Sequence, residues 1–234
     1  MILSDFFTEL SYGELSNTAL AVDGTGTIEE AHQPKVVRYI NEGLKRLHGR
    51  FPLIQKDVLV ELRSHITNYH LIPKFAESNW VPDEVEFPYI KDLIKEPFTG
   101  DVARILEVRN SLGHKLELND PENAFSVFTP QVDVLQVPRP VTGVALSVLY
   151  QAYHPTIHHH DLEAEIVLPN VLASALSAYV AYNVFSHMNT QEATSKAQEH
   201  MAKYESICVE VETQDLVNSS SSQTNSRFAK RGWV

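Results

Sequence analysis

The sequence is poor in cysteine and has no long apolar run. Its 234 residues include one cysteine, Cys208, so no intrachain disulfide can form and nothing requires an oxidising compartment. No apolar stretch approaches the roughly 20 residues of a membrane-spanning helix. The opening stretch MILSDFFTEL carries Asp5 and Glu9 without a positive flank, which argues against a secretory signal. We therefore expect a protein that is made in a cytoplasm and has no membrane segment.

Positive charge is also scarce. The chain has 19 Lys and Arg residues against 30 Asp and Glu residues, which gives a net charge of −11. Because phosphate binding needs clustered Lys and Arg, this balance argues against a protein that grips nucleic acid. It is compatible with a surface that faces DNA without binding it. Hydrophobic residues make up 43% of the chain, which is ordinary for a globular protein and enough for a sizeable core.

Catalytic motifs are missing as well. The sequence contains no GxSxG and no HExxH. The stretch DGTGT has two glycines but no following Lys-Thr and no preceding strand, so it predicts a turn rather than a phosphate-binding loop. Cys208 falls in an apolar helical stripe, which favours a buried structural thiol over a reactive one. The sequence therefore predicts a protein that is not an enzyme and that uses no cofactor or metal.

One stretch, YHPTIHHHDLEAE, has the residue types of a metal site, because histidine and carboxylate side chains are common ligands. Consecutive residues of an extended chain point to opposite sides, so we prefer a polar surface loop. Two alternatives stay open. One is a metal-dependent hydrolase that uses His154, His158 and His160 with Glu163, and the other is a loop whose histidines make contacts between copies pH-sensitive. The cluster comprises His154, His158, His159, His160, Asp161, Glu163 and Glu165.

Helical periodicity marks both ends of the chain. Ser4 is placed to cap a short first helix. A second helix is predicted from Pro34 to about Arg50, with proline in its first turn and apolar residues every three or four positions. From Leu168 apolar residues lie almost all round a helix, which predicts deep burial, and another helix with a single apolar stripe begins near Gln191. The short break between these two favours an antiparallel pair.

The middle of the chain has the patterns of β-strands. The stretch DVLVELRSHITNYHLI is rich in β-branched residues and predicts one or two strands. A hairpin is expected around Asn110 to Gly113, and two short strands are expected on either side of Pro130. In GVALSVLYQAYHP, alternate residues from Val144 to Tyr150 share one face. Short strands separated by turns are typical of an antiparallel sheet or a small barrel.

These patterns predict the α+β class. The predicted architecture is a helical bundle from the N- and C-terminal regions, with an inserted antiparallel β-domain and an extended C-terminal tail. The boundaries follow the places where the hydrophobic period changes. The predicted parts are the N-terminal part of the bundle (1–52), the β-domain (53–163), the C-terminal part of the bundle (164–217) and the tail (218–234).

The central loop AESNWVPDEVEFPYIKDL is a candidate contact surface. Trp80, Phe87 and Tyr89 lie there among prolines, and aromatic side chains on loops often anchor interfaces. An equally weighted interpretation is that they cover one end of the β-domain. A third is a ligand-binding β-domain that holds carbohydrate with Trp80 and Tyr89.

The C-terminal tail ends in SSSSQTNSRFAKRGWV, where a serine run precedes a basic and aromatic peptide. Arg227, Phe228, Lys230, Arg231 and Trp233 fall within the last eight residues. Because Trp and Arg are favoured at the centres of interfaces, we interpret this peptide as a docking segment. The alternative is a tail that folds back on its own bundle.

The order of these parts resembles a known family. The segments that carry the resemblance are ILSDFFTELSYGELSN, PKVVRYINEGLKRLHGRFPL, RILEVRNSLGHKLELND, SVFTP, IVLPNVLASALSAYVAYNVFSHMN, EATSKAQEHMAKYESIC and the closing RFAKRGWV. Together they span essentially the whole chain, and YINEGLKRLHGRF and RGWV contribute most. On these segments the chain resembles the head-to-tail adaptor (connector) proteins of short-tailed bacteriophages.

The resemblance implies a virion structural protein at the head–tail junction. Such adaptors form a ring, usually of twelve copies, below the portal protein. Their helical bundles surround the channel through which genomic DNA passes without specific binding, and their β-regions face tail nozzle or fibre proteins. Their C-terminal extensions dock on the portal or on a neighbouring copy. Carried onto this chain, the docking residues are Arg227, Phe228, Lys230, Arg231, Gly232 and Trp233. The runner-up is another tail-completion or nozzle subunit.

Overall fold

A computed structural model describes residues 1–22, 25–83, 85–188 and 190–217. The fold belongs to the α+β class as predicted, with helices from both ends of the chain and antiparallel sheets from the middle. The predicted C-terminal tail, with its six docking residues, lies outside the described residues.

Four helices form the bundle. They are α1 (Leu3–Tyr12), α2 (Gln33–Arg50), α3 (Asn170–Ser186) and α4 (Gln191–Thr213). Their inward side chains make one continuous apolar core, to which α3 contributes from nearly every side, as its sequence predicted. Among the described residues, no helix is both long enough and apolar enough to cross a bilayer.

The approach of α2 to α3 depends on a glycine. A Cβ atom at Gly43 would lie 2.6 Å from Cδ1 of Leu176 and 2.9 Å from Cδ1 of Tyr179. Both distances are shorter than carbon atoms tolerate, so no larger residue fits here without movement of these side chains or of a helix. The two helices therefore pack backbone to side chain at this point.

The first helix does not begin as predicted. Ser4 makes no cap: α1 starts at Leu3, and the residue before it, Ile2, offers no side-chain acceptor. The free amides of the first turn are bonded by the chain that leads into α3, because Leu3 N–H donates to Ala164 O at 3.0 Å and Ser4 N–H donates to Leu162 O at 3.1 Å. In α4, by contrast, Thr190 Oγ1 accepts from the backbone of Ala193 at 3.2 Å, which is an ordinary N-cap.

The strands form three antiparallel sheets. In chain order they are β1 (Ala21–Val22), β2 (Thr27–Ile28), β3 (Ile54–Glu61), β4 (Asn68–His70), β5 (Ile90–Lys91), β6 (Val102–Arg109), β7 (Phe128–Gln131), β8 (Val134–Gln136) and β9 (Ala145–Ala152). The largest sheet has the order β5-β3-β9-β6, a second has the order β4-β8-β7, and β1 pairs with β2 beside the bundle. β3 and β9 pair along their whole length, from Ile54 opposite Ala152 to Glu61 opposite Ala145.

The β-domain has its own apolar core, separate from that of the bundle. The face predicted for β9 is confirmed, since Leu146, Val148 and Tyr150 are buried in this core. One polar side chain of β9 faces the bundle instead: Gln151 Nε2 donates to Phe51 O at 2.9 Å and also to the carbonyl of His48. These bonds join the centre of the large sheet to the end of α2.

One turn and one proline differ from their predicted roles. The turn at Asn110 to Gly113 is present, but the chain after it makes only an isolated bridge with β6, which pairs mainly with β9. Pro130 lies inside β7 rather than between two strands. Because β7 is an edge strand, a residue without an N–H is tolerated there.

Candidate functional site

The described chain ends on the helical bundle. The structure describes the chain to Val217, which packs against the bundle core just after the end of α4 at Thr213. The predicted docking residues lie outside the described residues: Arg227, Phe228, Lys230, Arg231, Gly232 and Trp233. The described part of the chain therefore ends on the bundle and not on the β-domain.

Of the two interpretations of Tyr89, the structure favours a place in the β-domain over a contact with a partner. Tyr89 is 3% exposed, and its ring stacks on Phe75 with the centroids 4.7 Å apart. Its hydroxyl accepts from His70 N–H at 2.9 Å and donates to His70 O at 3.1 Å. Burial raises the pKa of Tyr89. The side chain holds β4 against β5, so it serves the β-domain core and is not free to contact carbohydrate either.

Trp80 and Phe87 remain at the surface. Trp80 is 45% exposed, yet its indole N–H is fixed by a 2.7 Å bond to Val85 O. Phe87 lies with its ring centroid 5.6 Å from the guanidinium of Arg63 and 5.5 Å from the ring of His65. Trp80 is thus held by its own loop and Phe87 by residues between β3 and β4, and both remain partly exposed.

The histidine cluster is divided in the structure. His154 Nε2 accepts from Val167 N–H at 2.9 Å, and its Nδ1 lies 2.6 Å from Pro155 O. His160 is in ring contact with His158 and His159, with centroids 5.5 Å apart in each case. Over the part of the chain that the structure describes, no three His, Cys, Asp or Glu side chains are arranged to hold a metal ion. The ligand set proposed for a hydrolase, His154, His158 and His160 with Glu163, is thus not brought together.

A buried histidine lies where the bundle meets the β-domain, and sequence reasoning missed it. His48 is fully buried; its Nε2 lies 3.1 Å from Val167 O, and its Nδ1 has no hydrogen-bond partner in the described part of the chain. The pKa of His48 is lowered to about 4, mainly by desolvation and also by the neighbouring His154. The backbone carbonyls of Val167 and Ala152 act in the opposite direction. The available signal was its position, one residue after Leu47 on the inward side of α2.

A groove runs between α2 and residues 153–159. Asn41 holds its two walls together, because its side chain donates to Ile157 O and accepts from Ile157 N–H, each at 2.9 Å. The cavity has a volume of about 510 Å³. Arg38 and Lys45 line it from the helix, and His158 and His159 line it from the opposite wall. We call this feature the basic groove.

The outward positions of α2 are unusually basic for this chain. Lys35, Arg38, Lys45 and Arg46 are exposed, and Glu42 is the only acidic residue in the helix. Only the apolar face of this helix was predicted from the sequence, so the basic groove was not anticipated. Its signal was four cations at outward positions in a protein of net charge −11.

Cys208 is a buried core thiol, as expected. It packs within the apolar core of the bundle, and burial raises the pKa of its thiol. A raised pKa disfavours the reactive thiolate.

The β-domain exposes several apolar side chains. Ile94, after β5, is 91% exposed and follows the exposed Leu93. Phe125 and Leu112 are also exposed, on loops elsewhere in the domain. Large apolar side chains at loop tips are suited to contact with other proteins.

No protein-family model and no curated protein sequence matches this chain. Its function must therefore be argued from its own residues and geometry.

Proposed function

We propose that the chain is a virion structural protein, a head-to-tail adaptor of a short-tailed bacteriophage. In this proposal copies of it form a ring below the portal, line the DNA exit channel and attach tail nozzle or fibre proteins. The observation that carries the proposal is the arrangement of parts. A bundle built from both ends of the chain carries an inserted β-domain, and the last described residue, Val217, packs against the bundle.

The distribution of charge supports the proposal. Three of the 19 Lys and Arg residues lie in the tail, which has no Asp or Glu, so the rest of the chain has 16 cations against all 30 acidic residues. An acidic body repels the phosphates of passing DNA and lets it slide. A basic tail on an acidic body is suited to contact with a different surface.

The proposed docking step uses the tail. Residues 218–226 are mostly serine, asparagine and other polar residues, and such a stretch acts as a spacer. Arg227, Lys230 and Arg231 would pair with acidic groups of the portal, while Phe228 and Trp233 would fill apolar pockets. Gly232 would let the backbone approach the partner closely.

The proposed attachment of tail proteins uses the β-domain. Its exposed apolar residues, Leu93 and Ile94 together with Phe125, supply area that other virion proteins would cover. In the described residues, no cluster suited to metal catalysis competes with this structural role.

The test is a truncation that removes residues 218–234. Purified portal rings of the same virus are mixed with intact or truncated chain, and ring decoration is counted in electron micrographs. We expect the intact chain to decorate rings and the truncated chain to be lost from them, with an unchanged thermal unfolding curve. A truncated chain that decorates rings as well as the intact one would refute the docking step.

A finer variant separates charge from apolar contact. Trp233→Ala keeps the three cations, and the triple change of Arg227, Lys230 and Arg231 to Gln keeps both aromatic residues. We expect each to weaken decoration, and only the triple variant to lose the dependence on salt. The rival assignment, a tail-completion or nozzle subunit, predicts a different copy number and different neighbours in images of intact particles.

A further inference from the structure

An acidic surface lies on and beside the first turn of α1. The turn is joined to residues 161–165 by the bonds from Leu3 and Ser4 to Ala164 and Leu162. Asp5 projects from the same turn, and Glu9 follows one helical turn later. The five exposed carboxylates of this acidic surface are Asp5, Glu9, Asp161, Glu163 and Glu165.

None of these five carboxylates forms an ion pair within the described residues. Elsewhere the chain pairs its carboxylates readily: Glu61 with Lys91, Glu107 with Lys115, and Glu205 with Arg50. The acidic surface is therefore a concentration of negative charge that the fold leaves unneutralised. The carboxylates of this surface repel one another, and a cation supplied by another molecule would reduce that repulsion.

The basic groove has the opposite imbalance. Lys45 lines the groove, and Lys35 lies beside it, next to the lining residue Pro34. Neither lysine forms an ion pair in the part of the chain that the structure describes; their ammonium groups lie 5.6 Å and 5.9 Å from the rings of Tyr153 and Tyr39. Arg38 pairs only with Glu42, at 3.3 Å along the same helix. Glu42 is also the only carboxylate among the residues that line the groove. The groove is therefore open, rigidly walled by the Asn41 bonds, and short of negative charge.

We propose that the basic groove of one copy binds the acidic surface of a second copy. The two surfaces are made of different residues, although residues 161–165 directly follow the groove wall along the chain. They have opposite unpaired charge, so each copy offers both halves of one contact. A contact between different surfaces of identical chains extends from copy to copy. It closes into a ring when the rotation between neighbouring copies adds up to a full turn. This inference rests on the proposed function, because it names the surfaces through which a ring of copies would form.

Charge complementarity favours a second copy over a nucleic acid as the occupant. The chain as a whole carries −11 charges, which repel a long polyanion, whereas the acidic surface presents five carboxylates over a short span. Complementary patches of this kind set register and orientation, and salt weakens them.

The experiment uses the full chain, alone and on portal rings, as an equal mixture of ¹⁴N- and ¹⁵N-labelled protein. A zero-length carbodiimide reagent joins amines to carboxylates in contact, and the mixed labels identify links between copies. We expect links from Lys35 and Lys45 to Asp5, Glu9 or residues 161–165, and fewer of them at high salt. If neither sample gives such links, the inference is wrong.

Charge reversal provides the second arm. Lys35→Glu with Lys45→Glu reverses the charge in and beside the groove, and Asp5→Lys with Glu9→Lys reverses the acidic surface. We expect each pair alone to lower the yield of linked copies at least tenfold, and a chain with all four changes to restore it. Unchanged thermal unfolding of the four proteins is the folding control. If the yield of linked copies is unchanged in both reversed variants, the inference is wrong. It is also wrong if the groove binds DNA or an acidic peptide in preference to a second copy.

The two proposals fail in different ways. Loss of decoration after tail truncation, together with persistent links between copies, supports both. Links between copies in a chain that never decorates portal rings would remove the adaptor function and keep the contact. Decoration without the named links would keep the adaptor function and remove the contact.

Discussion

The rings of His48 and His154 meet edge to face, with their centroids 5.2 Å apart, at the junction of the bundle and the β-domain. His48 comes from the last turn of α2, and His154 follows β9 by two residues. Both lie against Val167, one through its carbonyl and the other through its amide. The junction thus buries a histidine that is stable only when neutral.

This relationship predicts a loss of stability in mild acid. The pKa of His48 is about 4 in the folded protein and about 6.5 in an unfolded chain. The neutral side chain therefore stabilises the fold fully above pH 6.5, and this stability is lost as the pH falls from about 6.5 towards 4. Between pH 7 and pH 5 the loss from this group is about 2 kcal/mol, measured as the free energy of unfolding in urea.

The matched control for this prediction is His48→Gln. Glutamine keeps polar atoms in the site but does not titrate, so the variant should lose less stability between pH 7 and pH 5 than the original chain. The pKa values of His154 and His200 are also lowered by burial, which leaves a smaller dependence of the same sign in the variant. An equal loss in both proteins would contradict the assignment to His48.

The sequence predicted the parts of this fold better than their junction. Pro34 at the start of α2 and the alternation in β9 are local signals that short-range geometry determines. The junction instead joins His48 and Gln151, which are about a hundred residues apart and polar. The two interpretations of Tyr89 stayed equal at the sequence level for a related reason. Composition cannot tell an aromatic residue on a loop from one that enters a core.

The packing of α2 on α3 predicts a large effect of one methyl group. In Gly43→Ala, the new Cβ would meet Leu176 and Tyr179 at distances below 3 Å. Since both side chains are buried in the core, they or the helices must shift, and we expect a destabilisation of about 1–3 kcal/mol. Gly49→Ala is the control in the same helix, because its Cβ would have only Tyr153 nearby, at 3.9 Å. That change should be neutral or stabilise by up to about 1 kcal/mol. Equal urea midpoints for the two variants would rule out the close approach.

The contact between α2 and α4 depends on Arg50. Its guanidinium donates to both carboxylate oxygens of Glu212, at 2.7 and 3.0 Å, and to Glu205 at 2.8 Å. The bond to Glu212 raises the pKa of Arg50 and lowers that of Glu212. Forked Arg–carboxylate pairs are stronger than point contacts.

Arg50→Gln should therefore lower the melting temperature clearly more than Arg38→Gln. The control residue, Arg38, makes a single 3.3 Å pair with Glu42, and its side chain is 77% exposed. Such a surface pair contributes little to stability. Thermal unfolding at low and high salt is the measurement. If both variants melt at the same temperature, the link between α2 and α4 is not stabilising.

The buried hydroxyl of Tyr89 gives the last prediction, which separates a core role from a contact role in the same loop. Tyr89→Phe removes two hydrogen bonds between the part-buried hydroxyl and the backbone N–H and C=O of His70. We expect a loss of about 1–3 kcal/mol in the free energy of unfolding. Phe87→Ala, at a half-exposed ring in the same loop, is the comparison and should cost less. If Phe87→Ala is the more destabilising of the two changes, Tyr89 contributes less to the core than its burial indicates. If Tyr89→Phe leaves stability unchanged but weakens attachment of tail proteins, Tyr89 belongs to an interface.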